Sequence, residues 1–324
     1  MKNILLTGGA GFIGSTLAEL LLSTRECKIT CIDNFDSFYD RSIKERNIAA
    51  LIQNPDFRLI EGDLVNFKNF SGELDAHYDV IIHLAAKAGV RPSIADPVAY
   101  QQVNYLGTLN LLEFARQREI KQFVFASSSS VYGVNPNMPW CETDTGLQPI
   151  SPYAASKVAC ELLGHTYSHL FGIRFLALRL FTVYGPRQRP DLAIHKFARL
   201  LLEDKPITIY GNGSTQRDYT YVADIVAGIV AAMHYTGSDY EIINIGNSQT
   251  IKLIDLIHEL EVAFNKKAKL IFAEEQEGDV PATYANVTKG YKMLGYKPKW
   301  GIKAGLKEFA KWMQAVEIEK NVPS

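Results

Sequence analysis

Gly8, Gly11 and Gly14 form a GxxGxxG run between a short apolar stretch, residues 3–7, and an amphipathic one, residues 12–22. That combination restricts the fold more than any other feature of the chain. Glycine permits a tight turn and a close approach of backbone, and the helix that follows offers unpaired N–H groups and a favourable dipole to an anion. A glycine-rich hairpin or packing turn is the other meaning of such a run; a strand before it and a helix after it favour a pyrophosphate cradle.

The pattern continues beyond the first turn. Strand-like runs at 28–33, 57–60, 80–84, 122–126 and 174–180 alternate with helical periodicity at 43–52, 98–117 and 153–170. Strand, helix and strand at this spacing predict parallel βαβ units and an α/β, Rossmann-type doubly wound sheet, with ligands at the carboxyl ends of its strands. After Tyr184 the pattern changes: a helix near 192–202, a short strand at 207–210, the turn GNGS, a helix entered from QRDYTYVADIV, a strand at 242–245 and a helix at 251–264. We expect residues 1–180 to form the dinucleotide-binding domain and 181–324 a smaller α/β substrate lobe, with some elements returning to the first domain.

Asp33 ends the second strand about 20 residues after the glycines, where a carboxylate accepts hydrogen bonds from both ribose hydroxyls of NAD and repels a 2′-phosphate. Asp63 and Leu64, after the third strand, are placed to meet the adenine. Small residues in HLAAKAG, from His83, permit close approach of a cofactor. His83 itself reads as a packed strand histidine. The expected cofactor set is Gly8, Gly11, Phe12, Ile13, Gly14, Asp33, Asn34, Asp63, Leu64, Leu84, Ala85, Ala86, Lys87, Asn104, Tyr153 and Lys157.

A net charge of −1 without blocks of like charge leaves no electrostatic footprint for nucleic acid. No apolar stretch reaches the roughly 20 residues that span a bilayer, and the N-terminus lacks the longer apolar region of a secretory signal, so the expected location is cytoplasmic. Cys27, Cys31, Cys141 and Cys160 are too few and too irregular for a disulfide framework or a paired CxxC metal site, and read as packed thiols; no metal is expected.

Tyr153 and Lys157, four apart in YAASK, fall on one helical face, a spacing that many solvated helices also show. Ser128, in FASSSSVYG, ends the preceding core strand, where this sheet class collects its chemistry. With the early GxxGxxG, the constellation resembles the extended short-chain dehydrogenase/reductase family over nearly the whole chain. The resemblance implies a Tyr153 phenol acting as acid and base, a Lys157 that binds nicotinamide ribose, and a Ser128 hydroxyl that holds substrate. An ordinary tyrosine pKa near 10 makes a weak base at neutral pH, so the nearby ammonium and the positive nicotinamide are expected to favour phenolate. It also implies a homodimer, through the helices at 98–117 and 153–170.

Sugar 4,6-dehydratases of that family place an Asp-Glu pair after the serine, and UDP-glucuronate decarboxylases a Glu; this chain has Ser129 and Ser130. Without those acids, a 4-keto intermediate that turns over and is reduced on its other face gives 4-epimerisation. Four segments look like UDP-glucuronate 4-epimerases: NFDSFYDRSIK from Asn34, AAKAGVRPS from Ala85, LFTVYGPRQRPDLA from Leu180 and GDVPATYA from Gly278. UDP-glucose or UDP-N-acetylglucosamine 4-epimerase is the close alternative, with a dehydratase or a non-catalytic NAD-binding protein beyond it. The substrate set expected for a UDP-sugar is Arg91, Ser128, Ser129, Thr182, Arg187, Arg189, Arg217 and Asp279. For each arginine, a surface ion pair is the alternative role.

Overall fold

A computed structural model describes residues 1–274 and 280–321. The chain opens with β1 (Lys2–Thr7), α1 (Phe12–Ser23), β2 (Cys27–Asp33), α2 (Arg41–Ile52), β3 (Phe57–Glu61) and β4 (Val80–His83). Short helices α3 (Val90–Ala95) and α4 (Pro97–Tyr100) lead through a wide π-helical turn, Gln101–Leu106, into α5 (Gly107–Gln117). Then follow β5 (Gln122–Ser128), α6 (Pro152–Phe171), β6 (Arg174–Leu180), β7 (Thr182–Tyr184), α7 (Ala193–Leu202), β8 (Ile207–Tyr210), β9 (Gln216–Arg217) and β10 (Tyr219–Tyr221). The last elements are α8 (Val222–His234), β11 (Tyr240–Ile245), β12 (Ile251–Lys252), α9 (Leu253–Phe264), β13 (Leu270–Ala273), α10 (Thr288–Leu294) and α11 (Ile302–Asn321).

The main sheet is seven-stranded and parallel, in the order β11-β6-β5-β4-β1-β2-β3. Helices cover both of its faces, so the central strands are apolar throughout rather than alternating. Ile4 and Leu6 of β1 pack into the core on one face and Leu5 into the core on the other, all without exposure. The chain runs outward from β1 to β3 and then returns to the other side of β1 as β4. The strand order therefore reverses between β1 and β4, and a crevice opens at their carboxyl ends. The doubly wound α/β fold read from the sequence is thus observed. The later chain contributes β11 to this sheet and builds three two-stranded pieces, β7·β10, β9·β12 and β8·β13.

Local chemistry accounts for the helix ends. The Ser151 hydroxyl accepts from the N–H of Ala154, Pro152 occupies the first turn of α6, and Gly172 closes that helix in the left-handed conformation. Two expectations change. Residues 98–117 are not one regular helix, because Asn104 is drawn into hydrogen bonds outside it and the turn widens there. The helix expected from 251 begins at Leu253, because Ile251 and Lys252 pair antiparallel with Arg217 and Gln216. Among the described residues no helix is long and apolar enough to cross a membrane, and all four cysteines are free, with Cys27, Cys31 and Cys160 buried.

The glycine turn is set by space. A Cβ on Gly14 would stand 2.7 Å from Gly9 Cα and closer still to the Gly8 carbonyl oxygen. Gly14→Ala is expected to lower stability by about 1–3 kcal/mol through this overpacking, read from the urea unfolding midpoint; an unchanged midpoint would contradict the close approach.

Candidate active site

The crevice between the β1 and β4 ends continues into one cleft, lined at its first end by Gly8, Gly11, Phe12, Ile13 and Gly14. Gly8 adopts φ +73°, and a Cβ there would meet Ala85 N at 2.7 Å. The loop after β1 therefore touches the loop after β4, where Thr7 Oγ1 accepts from Ala85 N at 3.2 Å. This glycine cradle at the N-terminus of α1 fits a pyrophosphate.

Asp33 lies at the end of β2, with one carboxylate oxygen accepting from Ala10 N (3.1 Å) and the other from Phe35 N (2.9 Å). Lys44, on the first turn of α2, approaches it at 3.5 Å, and both side chains are buried. Asp33 is accordingly not a bare charge, since a buried ammonium and two backbone N–H groups stand against it. Lys44 was not expected: a lysine near a helix start reads as solvated. Asn34 donates to Asp63 at 3.2 Å, and Asp63 caps the next turn by accepting from Val65 N. Both line the cleft, as do Leu64, Leu84, Ala85, Ala86 and Lys87. Lys87 reaches across it to Asp36 at 3.1 Å. Burial pushes the Asp36 carboxyl up, but hydrogen bonds from Lys87 and from Phe38 N hold it below its ordinary value.

Asn104 is buried off the cleft wall, and its amide accepts from Lys87 N (2.8 Å) and donates to Lys87 O (3.0 Å) and Ser156 Oγ (2.9 Å). It fixes the Lys87 loop that lines the cleft. His83, as read, is a packed histidine: its ring nitrogens lie 2.7 Å from Thr7 Oγ1 and 3.0 Å from Thr108 Oγ1.

At the other end of the cleft, β5 delivers Ser128 while α6 delivers Tyr153 and Lys157 one turn apart, and all three line the wall. Ser128 Oγ accepts from Ser130 N at 3.2 Å. Lys157 Nζ donates to Ala126 O at 2.8 Å and lies 4.7 Å above the Phe125 ring and 6.0 Å from the Tyr153 ring. Burial dominates and raises the Tyr153 pKa, against the hydrogen bond from Ser128 and the charge of Arg189. Burial also brings Lys157 down to about 8.

The substrate candidates divide. Thr182 and Arg189 join Ser128 on the cleft wall. Arg189 is held by Asp191 through two hydrogen bonds, at 3.0 and 2.7 Å, and covers the Phe38 ring. Ser129 is buried behind the wall at the start of a one-turn helix. Arg187, at φ +68°, turns away to pair with Glu19 of α1 at 2.8 Å, which is the ion-pair alternative. Arg91 is exposed on α3, 6.0 Å from the Tyr210 ring, and Arg217 stands off the wall, donating to Gln216 O. Asp279 lies outside the described residues. Asp36, Phe38, Tyr39, Tyr100 and Asp191 line the cleft without having been expected there, because only the fold brings such polar and aromatic loop residues together.

A Rossmann sheet with Ser, Tyr and Lys facing a glycine cradle defines a short-chain dehydrogenase/reductase site. From residue 5 to residue 309 the sequence matches the family model described as GDP-mannose 4,6 dehydratase, and the chain belongs to that family, within the extended short-chain dehydrogenases/reductases. It is 46% identical over 313 residues to an uncharacterized protein of Methanocaldococcus jannaschii, covering 96% of each chain. It is 38% identical to a UDP-glucuronate 4-epimerase of Thermodesulfobacterium geofontis, covering 99% of each. The crystal structure of UDP-glucuronic acid 4-epimerase from Bacillus cereus in complex with UDP-glucuronic acid and NAD superposes with a TM-score of 0.89 at 36% identity, covering 97% of this chain and 99% of that one.

The buried His83 has a measurable consequence. Burial, aided by the charge of Lys157, lowers its pKa from 6.5 to about 3, so the folded protein keeps it neutral while the unfolded chain takes up a proton. Its stabilising contribution is present above pH 6.5 and is lost as pH falls toward 3, at about 1.4 kcal/mol per pH unit. His83→Gln is expected to flatten the decline in urea midpoint between pH 7 and pH 5; an equally steep decline would show that His83 charges freely.

Proposed function

We propose that this chain is an NAD-dependent UDP-sugar 4-epimerase that interconverts UDP-glucuronate and UDP-galacturonate. The observation that carries the reading is the convergence of Ser128, Tyr153 and Lys157 on one cleft wall that faces the glycine cradle, with Ser129 and Ser130 where a dehydratase has its carboxylates. The dehydratase description of the family therefore does not extend to elimination here, since hydroxyls of ordinary pKa do not perform that acid and base work. The relatives named as UDP-glucuronate 4-epimerases support the same reading.

NAD, when bound, supplies a hydride acceptor that returns the hydride and a positive ring beside the phenol. Gly8, Gly11 and Gly14 with the N-terminus of α1 would hold its pyrophosphate, and Asp33 with Lys44 its adenosine ribose. With the positive ring beside it favouring the phenolate against burial, Tyr153 would accept the proton of the C4 hydroxyl and, as the neutral phenol, return it to the C4 oxygen. Ser128, beside the phenol on the cleft wall, would hold that oxygen in line. Lys157 binds the second ribose and keeps a positive charge near the wall. Arg189 gives two of its five N–H donors to Asp191, and with Thr182, also on the wall, it is a candidate to meet a C5 carboxylate. In this reading residues 1–180 carry the cofactor, later segments carry the nucleotide sugar, and a homodimer forms through α5 and α6, where Leu162 and Leu170 are exposed.

The purified protein incubated with UDP-glucuronate without added NAD is expected to form UDP-galacturonate, seen by separating the C4 epimers. Turnover of UDP-galactose but of neither uronate would overturn the substrate assignment. Tyr153→Phe is expected to lower turnover about 10²–10⁴-fold while NAD remains bound; near-normal turnover would refute the assigned acid and base.

A further inference from the structure

Behind the strand end that carries Ser128 lies a buried ion pair with no part in the chemistry described so far. Glu161 sits on α6, one turn beyond Lys157, and Arg179 on β6; each is 2% exposed. Arg179 donates through Nε to Glu161 Oε1 at 3.0 Å and through Nη2 to Oε2 at 2.8 Å, and Ser127 Oγ donates to Oε1 at 2.5 Å. The guanidinium also covers the Tyr132 ring at 4.7 Å, and Tyr132 donates to Asn244 at 2.7 Å. Stability is a poor reason for such a pair, because apolar side chains of similar size often hold a core as well or better.

We propose that Glu161, fixed by Arg179, is a positioning residue of the active site: it keeps the Lys157 side chain in its ammonium form and locks the end of β5 that presents Ser128. The inference rests on the roles assigned to Ser128, Tyr153 and Lys157. Residues 153, 157 and 161 form one row along α6. The groups around Lys157 are Tyr153, Cys160 and Glu161 on α6, His83 on β4, the Phe125 ring and Ala126 carbonyl on β5, and Arg179 behind Glu161. Burial disfavours the ammonium, while Cys160 and Glu161 oppose that effect. Burial raises the Cys160 thiol, which is therefore uncharged near neutrality, and buried His83 is neutral as well. The sustained opposition comes from the Glu161 carboxylate, which Arg179 holds in place through two hydrogen bonds.

The test is the pH titration of the Lys157 ε-carbon by NMR in NAD-bound protein carrying ¹³C-lysine, with the signal assigned from its absence in Lys157→Arg. Lys157 ammonium predominates below its midpoint and is lost above it. Glu161→Gln is expected to move the midpoint down by about one pH unit or more, and to move the alkaline fall of kcat by the same amount with little change in KM. Glu161→Asp keeps the charge and is expected to stay near wild type. A packing role predicts the reverse order, because glutamine keeps the shape and aspartate does not. If Glu161→Gln does not fold, Glu161→Gln with Arg179→Gln is compared with Arg179→Gln alone, so that the two midpoints differ only by the loss of the carboxylate. An unmoved midpoint in the folded variant overturns the proposal. The NMR midpoint needs no sugar substrate, so failure of the substrate assignment is seen separately, as lack of turnover in wild type.

Discussion

The approach of two loops at the point where the strand order reverses is the constraint on which the site depends. β1 and β4 are neighbours in space and far apart in sequence, and the Gly8 turn lies against Ala85 at a distance that leaves no room for a side chain. That contact places the N-terminus of α1 opposite the Leu84–Lys87 backbone and opens a cleft rather than a sealed core. The remaining pieces are arranged to preserve it: Asn104 pins both backbone groups of Lys87, Thr7 bonds Ala85, and neutral His83 ties β4 between Thr7 and Thr108.

The electrostatics of the cleft follow one pattern. Lys44 is matched by Asp33, Lys87 by Asp36 and Arg189 by Asp191. Lining charges are therefore held in place by partners supplied by the chain, and each presents hydrogen-bonding atoms in a fixed direction. Preorganisation of this kind suits a reaction in which the same proton and hydride are removed and returned. The phenol belongs to the same logic. Burial alone favours its neutral form, the form that would return a proton to the C4 oxygen in the proposed reaction.

Where periodicity and spacing act locally, the sequence was legible. The GxxGxxG turn, the strand ending at Asp33 and the row from Tyr153 to Lys157 each depend on residues a few positions apart, and each lies where that local pattern puts it. The arginines were less legible. Arg187 and Arg189 are two apart in one loop, yet one turns out to Glu19 and the other into the cleft. Nothing in GPRQRPD announces that division, because it is made by the left-handed backbone at Arg187 and by partners from distant segments. The contact of Lys44 with Asp33 and that of Asn104 with Lys87 were illegible for the same reason.

By itself, the sequence determined the α/β class, the dinucleotide cradle and the identity of the Ser, Tyr and Lys set. Glycine spacing, strand length and helical period are properties of neighbouring residues, and the backbone has few ways to satisfy them. The tertiary structure decided which charges face the cleft and which are spent on one another, and where the lysine of YAASK finds its hydrogen-bond acceptor. Those outcomes depend on burial and on contacts between residues tens of positions apart. Desolvation changes the protonation balance of a tyrosine and a lysine by amounts that no local pattern encodes.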